Sequence, residues 1–143
     1  DLLDMAMDGE QPAANAQIYG RDISPVAVRA ALANLDRAGL LPAVSLSTGD
    51  ILDAAAPAAS GVMVANPPYG ERVSEQDELA AFYPQLGSAL KRNYAGWRCY
   101  LLSADLRMPK LMRLSPSKKT PLYNGAIECR LFEFRMVAGS NRD

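Results

Sequence analysis

The sequence predicts an α/β fold built on a largely parallel sheet that closes with an antiparallel hairpin. Three observations predict it. Short β-rich runs alternate with amphipathic helical stretches along most of the chain. Four of those runs end in polar or turn-forming residues, at the edge where open α/β sheets gather their ligands. Near the end, Asn124-Gly125 separates two strand-like runs, a strong short-range signal for a hairpin.

The elements follow in order. Leu2, Leu3, Met5 and Ala6 suggest the tail of a helix. A strand is expected at residues 17–20, leading into Arg21-Asp22. The next helix, 25–38, has the best local signals: Ser24 can cap it, Pro25 suits its first turn, and Gly39 ends it. Val28, Ala31, Leu32 and Leu35 then share one apolar face. A second strand at 43–47 runs into Thr48-Gly49-Asp50, and a third at 61–65 into Asn66-Pro67-Pro68. Another helix is expected after Ser74, which forms a capping-box pattern with Asp77. Leu79, Phe82, Tyr83, Leu86 and Leu90 make its apolar stripe, and Pro84 should kink or break it. The fourth strand, 97–103, leads into Ala104-Asp105. Residues 118–123 and 126–137 form the closing hairpin, and 139–143 are expected to be a frayed tail. Repeats and linkers are missing, so one domain is expected over 1–138.

Composition narrows the chemistry. With 143 residues, 49% hydrophobic and 22% charged, the chain has enough apolar material for one real core. No apolar run approaches the roughly 20 residues of a membrane helix, and no signal pattern opens the chain, so a bacterial-type cytoplasm fits best. Cys99 and Cys129 have no metal-ligand spacing and lie in strand-like runs, as reduced core residues do. Tyr94 and Trp97, at the start of the fourth strand, are expected to pack. There is no histidine, which excludes histidine-based triads and zinc sites and removes the commonest general base. Net charge is -1, but it is unevenly spread: residues 1–70 carry -5 and residues 71–143 carry +4. Lys91, Arg92, Arg107, Lys110, Arg113, Lys118 and Lys119 crowd the second half, either a phosphate-contacting face or a solvated one.

The segment most informative about function is Asn66-Pro67-Pro68-Tyr69-Gly70-Glu71-Arg72, at the end of a buried-looking strand. Proline rings fix φ and remove backbone donors, so carbonyls in this turn stay available while the loop stays rigid. The Asn66 side-chain oxygen and the Pro67 carbonyl can both accept protons from one amino group. An exocyclic base nitrogen is a poor nucleophile because its lone pair is delocalised into the ring; two acceptors on its hydrogens favour the pyramidal, nucleophilic form. Tyr69 can stack on a base taken out of its helix. No histidine, metal or covalent intermediate is needed. Glu71 and Arg72 suit a base edge or a phosphate, or else pair with each other.

Asn-Pro-Pro-Tyr after a hydrophobic strand resembles the amino-methyltransferase motif of S-adenosylmethionine enzymes. The longer Asn-Pro-Pro-Tyr-Gly-Glu-Arg is followed by Lys118-Lys119 and by Leu122-Tyr123-Asn124-Gly125-Ala126-Ile127-Glu128-Cys129. Together they resemble the ribosomal RNA guanine-N2 methyltransferases, and the resemblance spans nearly the whole chain. It implies a Rossmann-like sheet with a final antiparallel hairpin, S-adenosyl-L-methionine as cofactor, and ribosomal RNA as partner through a module that usually precedes the catalytic domain. It also implies site residues. Asp22 matches the carboxylate that accepts both ribose hydroxyls, with Ile23 beside it. Asp50 matches the acidic residue that contacts the adenine amine, with Ile51 packing on the ring. Asn66, Pro67 and Tyr69 match the catalytic turn, Asn66 also on the cofactor side. Tyr69, Glu71, Arg72, Lys118 and Lys119 fall on the substrate side, the two lysines near the site and within reach of phosphate.

A methyltransferase of this fold carries a glycine-rich first strand-loop-helix, and none precedes Asp22. The chain therefore resembles the later part of such a domain, expected to bind cofactor weakly alone. Three other readings stay open: an amino-methyltransferase acting on DNA adenine or protein glutamine, a nicotinamide-binding module, and a non-catalytic RNA-binding platform. Against the nicotinamide module stands the missing G-x-G-x-x-G.

Overall fold

A computed structural model describes residues 2–9, 17–68 and 73–137, with side chains from residue 77 onward in the last segment. The chain divides into two units, residues 1–51 and 52–143.

In the first unit, helix α1 (Leu2–Asp8) stands where the opening apolar residues suggested one. Strands β1 (Ile18–Asp22) and β2 (Val44–Thr48) pair in parallel, with Asp22 opposite Thr48. Between them runs α2 (Pro25–Ala38), with the bounds its caps dictate. The Ser24 hydroxyl accepts the Ala27 N–H at 3.2 Å, satisfying one of the donors a helix start leaves open. Gly39 ends the helix at φ 72°, a left-handed conformation that side chains resist. Val28 is buried, and Ala31, Leu32 and Leu35 of the same face are half-buried.

The second unit is a four-stranded sheet in the order β3-β4-β6-β5: β3 (Gly61–Ala65), β4 (Trp97–Ser103), β5 (Lys118–Asn124) and β6 (Ile127–Arg135). β3 and β4 are parallel; β6 runs antiparallel to both β4 and β5. Period-two alternation is plain on β4, where Trp97, Cys99, Leu101 and Ser103 are buried and the residues between them are not. Phe134 and Phe132, paired with Cys99 and Leu101, extend that buried face. Helix α3 (Val73–Asn93) supplies Leu79, Tyr83, Leu86 and Leu90 to the core at helical spacing, and α4 (Met108–Met112) supplies Met108 and Met112. Trp97 meets Tyr94 edge-on, ring centroids 5.5 Å apart, and donates its indole N–H to the Ala58 carbonyl at 2.9 Å.

Three sequence expectations need correction. Helix α3 begins at Val73, so Ser74 is a residue of its first turn and does not precede it as a cap. Of the kink or break expected at Pro84, the break is absent: α3 runs through it with buried side chains on both sides, whose packing outweighs one lost hydrogen bond. In the hairpin, Asn124 pairs with Ile127, so the two loop residues are Gly125 and Ala126, where the sequence suggested Asn-Gly. Gly125 takes φ 63° and Ala126 does not take positive φ, the pattern of a turn with glycine at its first central position. The tail expected at 139–143 lies outside the described residues.

Candidate functional site

In the first unit, the parallel pairing sends the turns after β1 and β2 out from the same edge. The Gly49 N–H donates to the Asp22 carbonyl at 3.0 Å, joining the two turns. Asp22 is exposed; its Oδ1 accepts the Ser24 N–H at 2.8 Å, which makes the carboxylate a turn former as well as a candidate ligand. Its Oδ2 has no hydrogen-bond partner among the described residues. Ile23 is 69% exposed although apolar, and Asp50 and Ile51 are half-buried across the same edge. One edge thus presents a carboxylate with an acceptor to spare, a second carboxylate and two branched apolar side chains. That donor set fits a nucleoside: the carboxylate suits a vicinal diol, and the apolar groups suit the face of a base.

In the second unit the informative edge is the carboxyl end of β3 and β4. Asn66 follows β3 directly and is exposed, and Pro67 is half-buried. Neither the Asn66 carboxamide nor the Pro67 carbonyl is hydrogen-bonded to a described residue, so both acceptors are available to a ligand. The carbonyl of Pro68, by contrast, accepts the Tyr83 hydroxyl at 3.1 Å. Tyr83 is fully buried on α3; burial pushes its phenol pKa up, so it stays a donor. Ser103, buried at the end of β4, accepts the Asp105 N–H at 3.0 Å. Asp105 is gripped by Arg107 through two bonds of 3.0 and 2.9 Å, and these hold its carboxyl below the usual carboxylate range.

Tyr69, Glu71 and Arg72 lie outside the described residues. Lys118 and Lys119 are exposed at the start of β5, the outermost strand, three strand positions from β3. At about 4.8 Å per strand they stand roughly 14 Å across the sheet from Asn66, so the structure does not bring them together. A ligand touching both must extend along the sheet edge. The sequence placed Tyr83 on an apolar stripe and missed its hydroxyl's role; its partner Pro68 is 15 residues away, beyond any helical spacing.

Comparison with known proteins bears on this geometry. A family model described as RMKL-like, methyltransferase domain (UPF0020) matches residues 2–133. A Shewanella frigidimarina protein named ribosomal RNA large subunit methyltransferase K/L is 34% identical over 126 residues, which cover 88% of this chain and 18% of that protein. The chain therefore spans under a fifth of the length of the curated relatives it matches. Among solved structures, SMU.472, described as a methyltransferase complexed with SAH, superposes with a TM-score of 0.83 at 26% identity, over 92% of this chain and 35% of that one. A Listeria monocytogenes protein described as a predicted N6-adenine-specific DNA methylase gives a TM-score of 0.71 at 28% identity, over 82% of this chain and 30% of that one. The α/β architecture, with its closing antiparallel hairpin, is that of the S-adenosylmethionine-dependent methyltransferases.

Proposed function

Because this chain belongs to the RMKL-like methyltransferase domain family, we propose that it is the acceptor-site part of an enzyme that methylates the N2 amine of a guanine in ribosomal RNA. The observation that carries this reading is the pair of acceptors after β3: the exposed Asn66 carboxamide and the Pro67 carbonyl, neither bonded to a described residue. S-adenosyl-L-methionine, when bound, supplies an electrophilic methyl group. Asp22 and Ile23 hold its ribose, and Asp50 and Ile51 its adenine, the assignments implied by family resemblance and suited to the chemistry of that edge.

Asn66 and the Pro67 carbonyl each accept one hydrogen of the guanine amine. That grip withdraws the nitrogen lone pair from the ring and aims it, so that positioning does most of the catalysis. Tyr69 stacks on the flipped base, and the displaced proton leaves to water. Glu71 and Arg72 contact the base edge or the adjoining phosphate. Lys118 and Lys119, far across the sheet, contact phosphates farther along the strand than the target nucleotide. Residues 1–138 act as the later part of one catalytic domain, and the protein works in the cytoplasm, where its RNA is. Among the described residues no helix is long and apolar enough to cross a membrane.

The test is methyl transfer from labelled S-adenosylmethionine to unmodified ribosomal RNA by the intact parent protein, wild type beside Asn66→Ala, with digestion to nucleosides. Label in N2-methylguanosine, lost in the variant, is expected. Label in N6-methyladenosine would keep the acceptor chemistry and change the base, while no label in RNA would refute the reading.

A further inference from the structure

We propose that Tyr83 is a positioning residue of the acceptor site: its buried hydroxyl, bonded to the Pro68 carbonyl, fixes the 66–68 turn. This rests on the reading above and extends it to residues that touch neither base nor cofactor. Pro67 and Pro68 have no N–H, so at those two positions the turn has no donor of its own and must be restrained through its carbonyls. The donor is Tyr83, fully buried on α3, with its oxygen 3.1 Å from the Pro68 carbonyl.

The direction of this bond is fixed by its acceptor: the Pro68 carbonyl can only accept, so the Tyr83 hydroxyl donates. Tyr83 is fully buried, so bulk water does not compete for that proton. Because both proline φ angles are locked, holding the Pro68 carbonyl also limits where the Pro67 carbonyl and Asn66 can point. The turn at the end of β3 is thereby referenced to α3.

A purely structural phenol would serve stability alone, and the two roles separate in kinetics. The experiment compares the intact parent protein as wild type, Asn66→Ala, Tyr83→Phe and Tyr83→Met, by steady-state methyl transfer to ribosomal RNA and by thermal unfolding. Tyr83→Phe is expected to lower kcat on the order of 10- to 100-fold, as a small misplacement of reacting groups does, with KM for S-adenosylmethionine within about twofold of wild type. Wild-type kcat in Tyr83→Phe, beside an inactive Asn66→Ala, overturns the positioning role and leaves the functional reading standing. Full activity in Asn66→Ala overturns both. Should Tyr83→Phe fail to fold, Tyr83→Met, which also lacks the hydroxyl, takes its place, and wild-type kcat there overturns the proposal.

Discussion

The Gly49 amide donates to the Asp22 carbonyl at 3.0 Å, and this one bond sets the two acidic turns of the first unit side by side. Asp22 Oδ1 is committed to the Ser24 N–H, which leaves Oδ2 and the negative charge for a ligand. Asp22→Asn retains an oxygen for the turn and removes the charge. In the intact protein it is expected to weaken binding of S-adenosylhomocysteine by roughly 10- to 100-fold, the equivalent of about 1.5–3 kcal/mol for a charged hydrogen bond, with little change in Tm. Titration calorimetry measures it; an unchanged Kd would remove Asp22 from the cofactor site.

Glu133 is the most strongly shifted carboxylate among those described. It lies 8% exposed on β6, where it accepts the Ser117 hydroxyl at 2.6 Å and the Tyr100 hydroxyl at 2.5 Å. Those two bonds, Ser117 first, lower its pKa from the ordinary 4.5 to about 2. A carboxylate depressed on folding stabilises the native state above its unfolded pKa, and that contribution is lost as pH falls through the folded value. Glu133→Gln is therefore expected to be less stable than wild type at pH 7. The gap should narrow below about pH 4.5 and close toward pH 2, read as the difference between their urea midpoints. A constant difference across that range would show that the Glu133 charge contributes nothing.

What the sequence revealed depended on how local the governing physics was. Helix α2 is legible to the residue because Ser24, Pro25 and Gly39 act within one turn of their own positions. The continuity of α3 is not, since the local rule for Pro84 competes with burial of Tyr83 and Leu86 against elements distant in sequence. Asn66 is legible from its neighbours, whereas Tyr83 becomes a support only once α3 is laid beneath the turn that ends at Pro68. Lys118 and Lys119 looked close to the site because the chain returns to the sheet there. The order β3-β4-β6-β5 carries them to the far edge, and strand order is set by packing that no short window contains.

The two cysteines are free and fully buried, and the pleat separates them. Cys99 pairs with Phe134, which puts it on the face of Phe132 and Phe134, while Cys129 falls on the alternate face of β6. They cannot form a disulfide without disrupting the sheet. Burial pushes the Cys99 thiol up to about 12, so almost none is thiolate near pH 8. Ellman's reagent should find no rapidly reacting thiol from this chain in the native protein and two after denaturation in guanidinium. Rapid native labelling of either would contradict the burial described.

Gly87 measures how closely α3 and α4 approach. A Cβ at this position would overlap the Met112 carbonyl oxygen and stand 2.9 Å from its carbon, and both are backbone atoms that cannot swing aside. In an open helix, glycine to alanine stabilises by about 1 kcal/mol through propensity. Here overpacking costs about 1–3 kcal/mol or more, because α4 must move and its buried Met108 and Met112 move with it. Steric cost wins, and Gly87→Ala is expected to lower the urea midpoint. Ser88→Ala, one residue along on the exposed side, should raise it slightly or leave it unchanged. Because Gly87 lies one helical turn from Tyr83 on α3, the strain reaches the support of the turn that ends at Pro68. Gly87→Ala should therefore lower kcat for methyl transfer even at temperatures where the variant is fully folded, and a folded Gly87→Ala with wild-type kcat would show that α4 gives way without moving Tyr83.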